Sequence, residues 1–409
     1  MAIKKKLMIL GANEYMYGFI SKATMLCEVI LVAPDALPEI KRLPLKYYDI
    51  DISDIDKVLS VAIKEKIDGV TTEQAERPVR AVAYVAEELK LPGIGLECSR
   101  VLTNKAKMRT KLLHAGLPTV DFRVVKSLEE ADRAFNEIGV PVIVKPVDSR
   151  GSRGVNYVAD RNALLNAFES AKREALNSEV MIEEFVTGRE IVCEALSLNG
   201  KCRTIAIGDS IPFGVPGVFS PCQRIFPSDI AASLRKKIEV VNNQNIEALG
   251  VKQGITHTEY IVNEQGIHFV ESSARAGGIF LGSSISSEVS GIDVSKFIIQ
   301  AALGELNELP SPKNTGIVCG YAAFYLPPGE IVSVDGLNEV KTKPYVHNHA
   351  LASIKVGMQT KPIEDKTSRY CLTISAKNRK EYELKRQEII NSLNIRVKTE
   401  SGIKGPIWE

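Results

Sequence analysis

The chain has no C-x-x-C pair, and its seven cysteines are dispersed through 409 residues. An odd, scattered count argues against a disulfide framework or a cysteine-ligated metal site and suits reduced thiols in a cytosol. Cys27, Cys193 and Cys319 lie in apolar contexts and read as core filler. No apolar run approaches the ~20 residues needed to span a bilayer. The opening MAIKKKLMILGA has the charge and apolarity of a leader, but Asn13, Glu14 and Tyr15 follow at once; it reads as a first β-strand ending at Gly11. No membrane attachment is expected, and the protein is expected to be cytoplasmic. Excess charge of one sign is also missing: 52 Lys and Arg against 50 Asp and Glu leave a formal +2. A nucleic-acid binder would show a basic face or stripe; the short runs Lys4–Lys6 and Arg235–Lys237 read as solvated surface. Internal repeats and low-complexity tracts are absent.

What is present is an ordered succession of elements, long enough for two or three domains. Residues 1–101 alternate strand and helix signals: KLMILGA, a helix around Tyr17–Met25, VILVAP, YYDIDI, a helix near Ile55–Lys66, DGVTT, and a helix near Arg77–Leu89. This βαβα pattern predicts a small parallel, Rossmann-like sheet. The full G-x-G-x-x-G fingerprint is missing, which argues against a nicotinamide site. Glu73 ends a predicted strand and would face a cleft, or else cap the next helix. Residues 102–305 form a second unit, with a helix capped by Thr103 or Asn104 and ended by Gly116 and Pro118, and amphipathic helices at 127–138 and 160–176. The stretch Ser210–Ser228 lacks periodicity and reads as a loop, either an active-site lid or plain surface. LNELPSPKNTG (306–316) marks a boundary. Residues 306–409 read as a C-terminal α+β region, mostly strands, with one helix near Arg379–Leu393. His347 and His349 form an H-x-H pair without an apparent third ligand.

Three constellations in the second unit carry chemistry. In VKQGITHTEYIVNEQGIHFVESSARAGG (251–278), the runs Ile255–Val262 and Gly266–Glu271 flank a turn and each bears a carboxylate, Glu259 and Glu271. A hairpin can bring the two side by side, where they would repel unless a cation intervened. Mg²⁺ is typically held by one or two carboxylates plus phosphates. Taken alone, the stretch reads equally well as a solvated strand pair. Upstream, VPVIVKPVDSRGSRGVNYV (140–158) reads strand, Gly-rich loop, strand. Lys145 ends the first strand. Ser149–Gly154, including Ser152 and Gly154, offer backbone N–H groups, hydroxyls and guanidiniums to a polyphosphate. Between them, VMIEEFVTGREIVCEAL (180–196) reads strand, Thr-Gly turn, strand. Apolar Met181, Ile182, Phe185 and Val186 around Glu183 and Glu184 suit an adenine edge, and Glu190 can accept from ribose hydroxyls; taken alone, the stretch reads as an ordinary hairpin.

The order Lys105, Lys145, Gly-rich loop, Glu183, Glu190, Glu259, Glu271 resembles that of ATP-grasp enzymes, and most of all their carboxylate–amine ligases. The matching text runs from TNKAKMRTKLLHAGLP (103–118) to FVESSARAGG (269–278), about half the chain. The resemblance implies an ATP-grasp fold behind an N-terminal Rossmann-like domain. It implies ATP and Mg²⁺ (or Mn²⁺) as cofactors. Lys105 and Lys145 would contact phosphates, Glu183, Glu184 and the backbone near Val186 adenine, and Glu190 the ribose. Glu259, Glu271 and Ser273 would bind the metal, with Ser273 standing where the family usually has Asn. Arg275, with Lys145, would face the transferred phosphoryl group; Arg224 is a further phosphate cation or a surface residue. The expected reaction activates a small-molecule carboxylate, an amino acid by resemblance, as an acyl phosphate and joins it to an amine. The alternatives are transfer to a carrier-protein thiol and a non-catalytic nucleotide-binding module. A carboxylase is disfavoured because no biotin-attachment Met-Lys-Met segment is present. A homodimer is the base-rate expectation.

Overall fold

The computed structural model describes residues 4–215, 218–363 and 368–409. Strands Lys6–Leu10, Glu28–Val32, Lys46–Tyr48 and Gly69–Thr71 form a four-stranded parallel sheet. Side-chain alternation divides the first strand cleanly. Leu7 and Ile9 pack with Phe19, Phe297 and Ile298 on one face; Met8 and Leu10 pack with Val58 and Val85 on the other. Both faces are covered, which is why the strands Lys6–Leu10 and Glu28–Val32 read as apolar runs. Phe297 and Ile298 belong to helix Val294–Ala302, which follows the carboxylate hairpin in sequence. The N-terminal sheet is thus sealed by a helix of the second unit. The seal is close: a Cβ at Gly69 would lie 2.4 Å from the Ala302 carbonyl oxygen.

A second, antiparallel sheet has the order Phe122–Val125, Val180–Glu184, Val142–Pro146, Asn156–Val158. Helices Leu128–Ile138 and Leu164–Glu174 cover the face that carries Val142, Val144, Val180 and Ile182. The period of two then turns Ile143, Lys145, Met181 and Glu183 to the opposite face. An eight-stranded sheet supplies the facing wall, in the order Gly266–Ser273, Gly254–Asn263, Arg189–Leu198, Lys201–Pro212, Pro221–Phe226, Val318–Phe324, Tyr370–Ala376, His349–Ala350. It contains strands from both sides of the 306–316 segment. A further antiparallel sheet, including Gly329–Asp335 and Asn394–Thr399, completes the C-terminal region with helix Arg379–Ser392. No helix among the described residues is long and apolar enough to cross a membrane.

Two local expectations are corrected, and one element was not expected. The strands flanking Thr187–Gly188 do not form a hairpin: Val180–Glu184 joins the small sheet and Arg189–Leu198 the large one. Gly188 permits the change, since a Cβ there would sit 2.6 Å from the Val262 carbonyl oxygen. The Ser210–Ser228 stretch is not loop throughout. Its ends belong to strands Lys201–Pro212 and Pro221–Phe226, and Pro216 and Gly217 within it lie outside the described residues. Pro221–Phe226 is buried at every position, so it carries no alternation to read. The 18-residue helix Ala232–Leu249 had no sequence expectation. Its buried stripe includes Asn242 and Asn245, whose amide nitrogens donate to the Thr204 and Tyr260 hydroxyls, so its apolar periodicity is broken by buried polar side chains.

Candidate functional site

The cleft between the small sheet and the eight-stranded sheet is a concave pocket partly open to solvent. Helix Lys105–His114 closes one end. Asn104 caps it by accepting from the Lys107 N–H at 3.0 Å. Lys105 therefore sits in the first turn, and its Nζ donates to the Ser149 carbonyl at 2.6 Å and lies 3.2 Å from Glu271. Lysines 105 and 145, Ser152, Glu183, Glu184, Val186, Glu190, Glu259 and Glu271 all line this cleft.

Lys145 and Glu183 lie diagonally on one face of neighbouring strands of the small sheet and form a buried ion pair. Arg109, one helical turn beyond Lys105, joins them: its Nε donates to Glu183 at 3.0 Å and its Nη1 to the Phe269 carbonyl at 3.2 Å. One guanidinium thus ties both walls together. Burial pushes the Glu183 carboxyl up, but Arg109 and Lys145 outweigh it and hold it below its ordinary value. Burial draws the Lys145 ammonium down, against the attraction of Glu183. Arg109 was missed in the sequence; its i, i+4 relation to Lys105 was the available signal.

Glu259 and Glu271 are direct partners across the hairpin. Each faces a cation: Arg224 pairs with Glu259 and Lys105 with Glu271. Arg224 is buried and lines the cleft, so it is not a surface residue. Oxygen donors of this kind suit a hard divalent ion. Among the described residues no group of three or more His, Cys, Asp or Glu is arranged to hold a metal. A pair of carboxylates fits an ion that takes its remaining ligands from phosphate and water, and does not form an all-protein cage. His347 stands 4.0 Å from Glu288 and its H-x-H partner His349 starts a two-residue strand.

The Gly-rich loop turns through positive φ at Gly151, Ser152 and Gly154. The Ser152 hydroxyl donates to the Phe219 carbonyl at 2.9 Å, which links this loop to the connection following Pro212. Three expected site residues are not brought to the cleft wall. Gly154 packs against helix Leu164–Glu174, where a Cβ would stand 3.1 Å from that of Glu174. Ser273 is buried opposite His257. Arg275 bonds Glu76 of the N-terminal unit at 2.8 Å. Glu73 is fully buried rather than open to a cleft, and its Oε1 accepts from the Ser283 N–H at 3.1 Å. Cys27, Cys193 and Cys319 are buried and free.

A family model described as the ATP-grasp domain matches residues 138–282, the segment that contains the Gly-rich loop and both hairpin carboxylates. Residues 138–282 are thus similar to an ATP-grasp domain. Alanine–anticapsin ligase of Bacillus subtilis (strain 168) is 27% identical over 281 residues, 63% of this chain and 58% of that one. The chain thus spans less than two thirds of that relative's length. Among solved structures, L-amino acid ligase from Bacillus licheniformis superposes with a TM-score of 0.83 at 24% identity, covering 98% of this chain and 100% of that one. The biotin carboxylase domain of Hydrogenobacter thermophilus 2-oxoglutarate carboxylase, solved with magnesium ADP and bicarbonate, gives 0.77 at 18% identity, with 99% and 92% coverage. The ATP-grasp fold therefore extends over nearly the whole chain.

Proposed function

We propose that the chain is an ATP- and Mg²⁺-dependent ligase that activates a small carboxylate, an amino acid, as an acyl phosphate and joins it to an amine, releasing ADP and phosphate. The observation that carries this reading is the convergence of paired carboxylates, two lysines and an N–H-rich loop on one cleft. Lys105, Lys145 and the loop backbone hold the nucleotide phosphates. Ile143, Val186 and their neighbours cover adenine, and Glu190 accepts from the ribose. Glu259 and Glu271 hold the divalent ion, which, when bound, offsets phosphate charge. A substrate carboxylate oxygen attacks the γ-phosphorus and ADP leaves. The amine then attacks the acyl carbon and phosphate departs. Arg275 exchanges Glu76 for the acyl phosphate as the N-terminal unit presents the carboxylate. The protein supplies position and charge rather than a covalent nucleophile. An amino-acid substrate is supported by the name of the alanine ligase relative.

The test is Mg²⁺-dependent ADP release over a panel of L-amino acids, singly and in pairs, with hydroxylamine to trap the acyl phosphate. ADP release stimulated by an amino acid, together with a hydroxamate of the same acid, is expected. Release that ignores every amino acid and yields no hydroxamate refutes the reading.

A further inference from the structure

Resting on the metal site proposed above, we infer that His257, backed by Glu194, is a positioning residue for Glu259: it fixes Arg224, and through Arg224 the carboxylate that grips the cation. Glu194 and His257 are direct partners on adjacent strands of the large sheet. Glu194 is fully buried, and a buried carboxylate demands donors. It has two: the His257 Nδ1 at 2.5 Å, and the Gly277 N–H at 3.1 and 3.2 Å from its two oxygens. The acceptor at Nδ1 assigns the ring proton there and fixes the imidazole plane. Nε2 is left as an acceptor, and Arg224 Nη1 lies 2.8 Å from it. The other terminal nitrogen of Arg224 then meets Glu259 Oε1, which itself stands 3.2 Å from Nε2. His257 and Glu259 are two residues apart on one strand and share a face. A continuous set of polar contacts thus runs from the Gly277 backbone, through Glu194, His257 and Arg224, to the metal carboxylate.

The two ring nitrogens can be tested separately. Asn at this position keeps a donor where Nδ1 lies and removes the Nε2 end; Gln keeps an acceptor where Nε2 lies. A histidine that merely fills the sheet makes no such distinction. The experiment titrates Mn²⁺, as a paramagnetic stand-in, into the full-length chain with saturating ADP, and reads bound metal by electron paramagnetic resonance. Glu271→Gln serves as the reference for loss of a ligand. His257→Asn is expected to weaken Mn²⁺ by about 10–100-fold, the range for groups that orient a metal ligand, with metal-free ADP affinity unchanged. His257→Gln is expected to stay within about threefold of wild type. Wild-type affinity in His257→Asn, with Glu271→Gln impaired, overturns the inference and leaves the site intact. Equal losses in the two His257 variants overturn it as well. A loss of about tenfold or more in His257→Gln does so even if His257→Asn fails to fold. Unimpaired binding by Glu271→Gln refutes the metal site itself, and the role of His257 with it.

Discussion

Glu259 stands directly opposite Glu271 only because of a β-bulge at Val270. From the turn back to Tyr260 and Phe269 the hairpin pairing is regular; between Glu259 and Tyr260 the register shifts. Regular pairing would have set Glu259 against Val270 and Glu271 against Thr258. One inserted residue re-aims every side chain beyond it, a use of bulges common beside functional sites.

Glu271→Gln removes one charge from this pair and leaves Lys105 without its carboxylate partner there. Glu271 is partly exposed, so the fold should survive. Mg²⁺-dependent ADP formation should fall about 100-fold or more, the scale for losing an electrostatic contact to a reacting phosphoryl group. Steady-state kinetics beside a thermal melt check both halves. Activity retained at the wild-type level would count against the metal assignment.

Glu183→Gln should instead damage the fold. Glu183 is the shared anion of Arg109 and Lys145, and all three are buried. Its loss strands two cations in a dry interior, which costs about 3–5 kcal/mol. Equilibrium denaturation of wild type and variant would show it. The same variant should lose nucleotide affinity, because Lys145 is no longer held.

Glu73 makes stability fall as pH rises from about 4.5 to about 7. Burial pushes its carboxyl up to about 7 from 4.5, against hydrogen bonds from Ser283 and Gln74. Because its folded pKa lies above the unfolded one, the native state binds the extra proton between these values. The stabilisation is fully present below about 4.5 and is lost by about 7, a change of up to about 3 kcal/mol. Melting temperatures of wild type should therefore decline over that window more than those of Glu73→Gln. Parallel curves would contradict this.

Gly151 and Gly154 both adopt positive φ, +72° and +68°, yet differ in surroundings. An added Cβ at Gly151 meets nothing within 4 Å; at Gly154 it meets Glu174, Ala171 and Pro146 at 3.1–3.2 Å. Gly151→Ala should cost about 1–2 kcal/mol for its backbone alone. Gly154→Ala should cost at least about 1 kcal/mol more, since the helix behind it must shift. Chemical denaturation of the two variants side by side measures the difference.

Local signals were legible wherever a residue's role is settled within a few positions. The apolar strand Lys6–Leu10, the Asn104 cap, the Val142–Val158 strand–loop–strand and the Asn263–Gly266 turn all follow from short-range sterics and hydrogen bonding. Most of the lysines and carboxylates singled out by their order in the chain also line one cleft. The helix Ala232–Leu249 was not legible, because its buried asparagines mimic a polar surface stripe.

The sequence by itself determined most of the element types and most of the charged residues that line the cleft. Tertiary packing decided which donors meet. Arg109 reaches Glu183 across 74 residues and Arg275 reaches Glu76 across 199, and no periodicity encodes such distances. The bulge at Val270, the splitting of the two strands around Gly188, and the burial of Glu194 against His257 are consequences of how sheets and helices fill space together. Local chain propensity falls off within a turn or two, whereas the electrostatics of this site depend on side chains that only the folded interior brings within 3 Å.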